Sequence, residues 1–333
     1  MGGPYYDIDA VVAWVDGNDP AHRSKRLKYA DSSVLVDDEV GGDIRFANAG
    51  EIFFCVASLL RFAPFIRKIF IVTDGQDPKA DVFADKYFPD RTTAIEIVDH
   101  SVIFRGYERY LPVFNSLSIE TVLWRIPDLS EHFIYLNDDF MLSAPVGPED
   151  FFIGGKPVCR ASRFSIPFGR FLHMLRPLKY GTASMGFKDA MINAARLIGK
   201  KGTFLYFDHY PHPQLKSVFA EFYEGREDVM VRNMKPKFRE PYQFNSQELM
   251  YLLAKDRGQC VLAPKCKDFL YIKPKKKAGY ISGKLRYFRE NPKARFCCLN
   301  SLSYASEEDI AVVRDWVWER LGMKEKILMT NNE

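Results

Sequence analysis

FIYLNDDF, residues 133–140, runs an apolar stretch straight into two adjacent carboxylates. Phe133, Ile134, Tyr135 and Leu136 suit a buried strand, and Asn137, Asp138 and Asp139 follow with no spacer. The pattern recurs upstream. Ile8–Val15 reads as a strand and stops at Asp16-Gly17; Ile69–Val72 reads as a strand and runs through Thr73 into Asp74-Gly75. Residues 93–100 supply a further strand. Between them, Ile52, Phe53, Val56, Leu59 and Leu60 recur at helical spacing from Gly50 until Pro64. Residues 21–44 read as a loop with at most one short helix, and a helix is expected from Asn115-Ser116 through Ile119, Leu123 and Trp124 to Pro127. Strands alternating with helices predict an α/β fold with a mainly parallel sheet. In such sheets ligands sit beyond the carboxyl ends of the strands. One turn aspartate is ordinary, but acids converging at one sheet edge repel unless a cation or proton offsets them. Mg²⁺, which takes one or two carboxylates plus phosphate oxygens and water, would do so.

The second half is less regular. Helices are expected within residues 184–202, within 238–258 with Leu249, Leu252 and Leu253 inward, and from Ser306, which starts the closing helix as a capping-box variant with Asp309. Short strands are expected near Cys260–Leu262 and Phe269–Ile272. Pro and Gly cluster at residues 144–158, a soft boundary. The expected organisation is 1–150, 151–260 and 261–333, the last a smaller mixed part with a basic segment.

The hydrophobic share of 47% and charged share of 27% fit a globular chain. The 14% aromatic content is explained by core packing. No apolar run has the length of a membrane span. MGGPYYDIDAVV lacks both the basic region of a signal peptide and the Ser or Thr that myristoylation prefers. The cysteines Cys55, Cys159, Cys260, Cys266, Cys297 and Cys298 are scattered, which fits reduced thiols. Net charge is +4, but Pro264–Arg295 holds eleven Lys or Arg against two acids, leaving the remainder acidic. That segment is either a solvated face or a contact for an anion such as a phosphate-containing polymer or an acidic lipid surface. It is too local, and too poor in interleaved motifs, for nucleic acid to lead.

DAVVAWVDGNDP, residues 9–20, resembles the first signature block of the Stealth family of sugar-phosphate transferases. Residues 45–76 and 111–140 resemble the second, YPHP at 210–213 the third, and KFREPYQFNSQELMYLLA at 237–254 the fourth, in family order. Arg45, Asn48 and Glu51 match the family's start of the second block, with Ile52 in place of Leu. The resemblance implies a Rossmann-like, GT-A-like core. It also implies transfer of N-acetylhexosamine-1-phosphate from a UDP-sugar, UDP-N-acetylglucosamine or a relative, to a sugar hydroxyl. UMP leaves and a phosphodiester-linked capsular polysaccharide grows.

Carried onto this chain, the resemblance gives a catalytic set of His212 as general base, Arg239 on the phosphoryl group, Asp139 and Asp16. Asp138 and Asp139 would hold Mg²⁺, with Mn²⁺ as the alternative. Gly17 would lie beside the nucleotide, and Glu51 would meet hydroxyls or the metal shell. Arg45, Asn48, Asp74, Asn115, Asn137 and Asn193 complete the substrate-binding candidates. The plainer readings are a loop histidine at 212, a solvated Arg239, a helix-end charge at Glu51 and a turn residue at Asp74. The partners implied are the UDP-sugar and a growing anionic polysaccharide held by residues 264–295. The expected setting is the bacterial cytoplasm, with peripheral contact at the inner membrane face; compactness of the blocks motivates the bacterial choice. Two other functions fit the residues: a metal-dependent glycosyltransferase releasing UDP, and a module that only binds carbohydrate or polyanion.

Overall fold

IDAVVA, residues Ile8–Ala13, forms strand β1 and is buried along almost its whole length. A strand covered on both faces has no reason to alternate polar and apolar residues. It is the middle strand of the main sheet. The fold is a computed structural model that describes residues 6–30, 50–168, 171, 186–265, 269–274, 279–290, 294–302 and 305–323. Parallel to β1 lie β2 (Ile66–Thr73) on one side and β4 (His132–Asn137) on the other, with β3 (Ala94–Asp99) parallel to β2. β9 (His212–Leu215) pairs antiparallel with β4 and completes the order β3-β2-β1-β4-β9. The expected α/β class with a mainly parallel sheet is therefore what the chain forms.

The strand order reverses at β1, because β2 and β3 lie on one side and β4 on the other. Such a switch point opens a crevice at the carboxyl ends of the two strands. Ala13 of β1 sits opposite Asn137 of β4. Asp16 and the Asp138–Asp139 pair therefore leave the sheet side by side, and Asp74 leaves from the neighbouring β2.

Helices α1 (Pro20–Leu27), α2 (Glu51–Phe62), α3 (Ala80–Tyr87) and the one-turn α4 (His100–Ile103) belong to this first half. Gly50, at φ 87°, starts α2 in the left-handed region that glycine tolerates best. The single helix expected from Asn115 to Pro127 is instead α5 (Ser116–Glu120) followed by a 3₁₀ turn at Leu123–Arg125. The Thr121 hydroxyl donates to the Leu117 carbonyl and the Trp124 indole N–H to the Thr121 carbonyl, so side chains engage carbonyls around the break.

The second half adds β5 (Phe140–Leu142), β6 (Phe152–Ile153), β7 (Lys156–Ser165), helix α6 (Phe187–Leu197) and β8 (Thr203–Phe207). After β9 come α7 (Lys216–Tyr223), α8 (Glu227–Met234), α9 (Ser246–Asp256) and β10 (Val261–Ala263). The chain closes with β11 (Phe269–Ile272), α10 (Tyr280–Glu290), β12 (Phe296–Leu299) and α11 (Glu307–Leu321). β12 pairs with β5, and Trp318 of α11 meets Phe54 of α2 edge-on at 5.1 Å. Elements from all three expected parts share one buried core. Among the described residues no helix is long and apolar enough to cross a membrane.

Candidate active site

Asp138 and Asp139 occupy the tight turn between β4 and β5. Burial pushes the Asp138 carboxyl well above the usual carboxylate range, and the nearby charges of Asp139 and Glu51 push it further. Burial also raises Asp139. Three carboxylates thus share one neighbourhood, because Gly50 starts α2 so that Glu51 enters it from the helix's first turn.

Strand β12 fixes the same turn from the other side. The Leu299 amide donates to the Asp139 carbonyl at 2.8 Å. Asp139 Oδ2 accepts from Asn300 Nδ2 at 3.2 Å and from the Cys298 thiol at 3.5 Å. Asp139 Oδ1 is buried and has no hydrogen-bond partner. An orphaned carboxylate oxygen beside two further acids is a fit for a divalent cation of the oxygen-preferring kind. Among the described residues no group of three or more His, Cys, Asp or Glu is arranged to hold a metal. Mg²⁺ needs no such protein cage when phosphate and water complete its shell.

His209, in the loop between β8 and β9, and His212, the first residue of β9, have different surroundings. His212 is 4% exposed, because it lies within β9 opposite Tyr135. Phe207 and Tyr210 crowd it, each with ring centroids at 4.6 Å, and Tyr251 Oη lies 3.5 Å from its Nδ1. Burial, with His209 as a lesser contributor, lowers its pKa to about 3. His209 is only half-buried and stacks on Phe187 at 4.8 Å and on Tyr271 at 5.8 Å. Desolvation lowers its pKa, against the opposing pull of Asp139 and Asp208; Arg239 and Lys273 act on it too. Asp139 and Arg239 therefore both act electrostatically on His209, whereas His212 is enclosed within the sheet.

Arg239 reaches Ser116 Oγ with Nη2 at 3.3 Å. Its loop is fixed by buried amides. Gln243 Oε1 accepts from Asn115 Nδ2 (2.7 Å) and the Glu240 amide (2.9 Å). Gln243 Nε2 donates to the Asn233 carbonyl (2.7 Å) and to Ser118 Oγ (3.1 Å). Asn115 Nδ2 also donates to the Phe238 carbonyl, and its Oδ1 caps α5. Asn193 Nδ2 holds the carbonyls of Pro241 and Gln243 from α6. The amide donors of Asn115 and Asn193, expected to face substrate hydroxyls, thus serve the loop that carries Arg239. Gln243→Met would strand several of these buried groups, and it is expected to lower stability by about 1–3 kcal/mol in urea titration. Turnover should fall with it, because Arg239 would lose its fixed position.

The other expected residues are dispersed around this centre. The Asp16 backbone is clamped by both ends of the Gln76 amide at 2.9 Å, and its Oδ1 accepts from the Asn18 amide, an Asx turn through Gly17. Asp74 pairs with Lys25 of α1 at 2.9 Å and lies near buried His22 and His100. Asn137 Oδ1 accepts from the Tyr135 hydroxyl at 2.6 Å. Arg45 and Asn48 lie outside the described residues.

Sequence reading passed over His209, Gln243, Asn300 and Cys298. The available signal for His209 was its place just past β8, at the start of the loop to β9, where a side chain is not committed to a strand face.

Residues 6–34 match the family model described as Stealth protein conserved region 1, and residues 45–158 match conserved region 2. The capsular polysaccharide phosphotransferase WcwK of Streptococcus pneumoniae is 31% identical over 269 residues, covering 72% of this chain and 75% of that protein. The exopolysaccharide phosphotransferase CpsY of Mycobacterium leprae is 30% identical over 316 residues, covering 90% of this chain and 52% of that protein. Among solved structures, the apo form of the bifunctional glycosyltransferase WbbM matches with a TM-score of 0.48 at 9% identity, over 97% of this chain and 52% of that one.

Proposed function

The chain belongs to the Stealth family, and from that premise we propose that it transfers N-acetylhexosamine-1-phosphate from a UDP-sugar to a hydroxyl of a growing polysaccharide. The observation that supports this reading is the electrostatic proximity of His209 to Asp139 and Arg239, beside the Asp138–Asp139 turn that leaves β4 next to the reversal of strand order. Phosphoryl transfer needs charge neutralisation, positioning and a proton acceptor. Those residues supply all three.

In this reading the acceptor oxygen attacks the phosphorus that carries the hexose. The new O–P bond forms as the pyrophosphate P–O bond breaks, and UMP leaves with the electron pair. His209 takes the hydroxyl proton and later gives it to solvent. Its lowered pKa keeps it neutral, and so able to accept, at working pH. Arg239 offers its planar fork to the transferring phosphoryl group. Asp138 and Asp139 would hold Mg²⁺, with Glu51 adding negative charge nearby. That ion, when bound, offsets the charge of the pyrophosphate. Asp16 and Gly17 would border the nucleotide from β1. His212 supports the site from within the sheet, and the proton falls to His209. The basic stretch 264–295, described only in part and without Lys275, Lys276 and Lys277, would hold the anionic chain.

Phosphorus NMR tests the reaction class. With Mg²⁺, UDP-N-acetylglucosamine and a mixed capsule-oligosaccharide acceptor, the expected result is a new phosphodiester resonance appearing with UMP. Release of UDP with no phosphodiester would mean an ordinary glycosyltransferase instead.

A further inference from the structure

Behind the Arg239 loop lies a groove that none of this chemistry uses. Two cavities of about 450 and 500 Å³ adjoin at Leu197 and Val229, along this groove between α6, α8 and α9. Its floor is apolar, with Phe222 of α7, Val229 of α8 and Leu253 of α9. Its rim is cationic, with Arg196, Arg226, Arg232 and Arg257, and Asp228 is the one acid lining it.

Arg226 and Arg232 are held against aromatic rings, and among the described residues neither is neutralised by a carboxylate. Arg226 donates Nη1 to the Phe222 carbonyl at 2.8 Å and lies 5.0 Å over that residue's ring. Arg232 lies 5.0 Å over the ring of Tyr242, which is 38% exposed. Arg257 pairs with Glu221 at 2.6 Å. Among the described residues no carboxylate pairs with Arg196, Arg226 or Arg232. A fixed guanidinium fork matches the two free oxygens of a phosphodiester, and an exposed aromatic face suits the apolar side of a sugar ring. One end of the groove is lined by Asn193, whose amide holds the 241–243 segment behind Arg239.

We propose that this groove holds the finished part of the acceptor, a phosphodiester-linked oligosaccharide, with its phosphates on the arginine rim and a sugar on Tyr242. The proposal rests on the reaction class given above and adds a second contact point for its acceptor. A recessed apolar floor under a charged rim fits a chain better than the flat face of a bilayer.

The test is direct binding, which needs no turnover. A fluorescent long phosphodiester-linked oligosaccharide and its single-repeat unit are titrated into the full chain and into Arg196→Ala/Arg232→Ala. Lys86→Ala/Arg314→Ala, away from the groove, serves as the charge-matched control. The groove variant is expected to weaken the long chain about tenfold, leaving the single repeat unchanged. The control should weaken neither, and in turnover assays donor KM should stay constant. Equal weakening of both lengths, or of neither, overturns the proposal. So does loss of binding to phosphatidylglycerol vesicles with oligosaccharide binding intact, which would give the groove to a membrane surface. If the wild-type chain binds the long oligosaccharide through the groove yet forms no phosphodiester, the reaction class fails and the groove stands.

Discussion

His209→Ala is expected to cut phosphodiester formation about a hundred- to ten-thousandfold, the usual worth of a positioned general base, while the UDP-sugar still binds. His212→Phe, by contrast, should keep the chain folded and active. The reason is placement. His209 shares its electrostatic surroundings with Asp139 and Arg239 and is half-open, whereas His212 is enclosed by Phe207, Tyr210 and Tyr251. A base whose conjugate acid has a pKa of about 3 has little drive to take a proton from a hydroxyl. A folded but inactive His212→Phe beside an active His209→Ala would reverse the assignment.

The enclosed histidines have a consequence for stability. His212 is lowered to about 3 and His100 to about 4, both chiefly by burial, from an ordinary value of 6.5. A histidine depressed in the folded state contributes stability that is fully present above its unfolded pKa. That contribution is lost as pH falls from 6.5 toward the folded value, because the unfolded chain takes up the proton first. For His212 the loss between pH 6.5 and 4 is about 3 kcal/mol. Urea midpoints measured across that window should fall less steeply for His212→Phe than for the parent chain. Identical slopes would mean that His212 does not stay neutral in the fold.

Much of this architecture is legible in the sequence because its cause is local. Ile8–Ala13, Ile66–Thr73 and His132–Asn137 carry the apolar runs of buried parallel strands, and each is followed by turn residues or acids. The convergence of Asp16 with Asp138 and Asp139 follows from strand order, which alternation of strands and helices already constrains. What stayed hidden depends on contacts distant in the chain. Asn300 and Cys298 reach Asp139 only because β12 pairs with β5 across nearly half the sequence. Gln243 meets Asn115 at a separation of 128 residues, so neither looks like a partner of the other in the sequence. His212 stood out because it lies in the YPHP run that resembles the family's third block, yet what governs its chemistry is the aromatic cage around it. Its neighbour three positions earlier looks less distinctive and is more open.

Asp138→Asn is expected to do two opposite things, to stabilise the metal-free protein and to disable the enzyme. In the folded chain Asp138 is crowded by the charges of Asp139 and Glu51 in a poorly solvated turn. Removing one charge relieves that repulsion, and a gain of about 1–3 kcal/mol in EDTA is in keeping with the cost of burying like charges together. The backbone of the turn should survive, since the Leu299 amide still meets the Asp139 carbonyl. The parent chain should gain stability from added Mg²⁺ by mass action, because the ion binds the folded state and offsets the same repulsion. Asp138→Asn and Asp139→Asn should lose most of that Mg²⁺ response and at least about a hundredfold in turnover. Thermal unfolding in EDTA and in Mg²⁺ reads all of this without a substrate. If Asp138→Asn is no more stable than the parent in EDTA, and Mg²⁺ shifts both chains equally, these carboxylates do not form the cation site. The adjacent acids of the NDD turn would then be explained by turn chemistry alone.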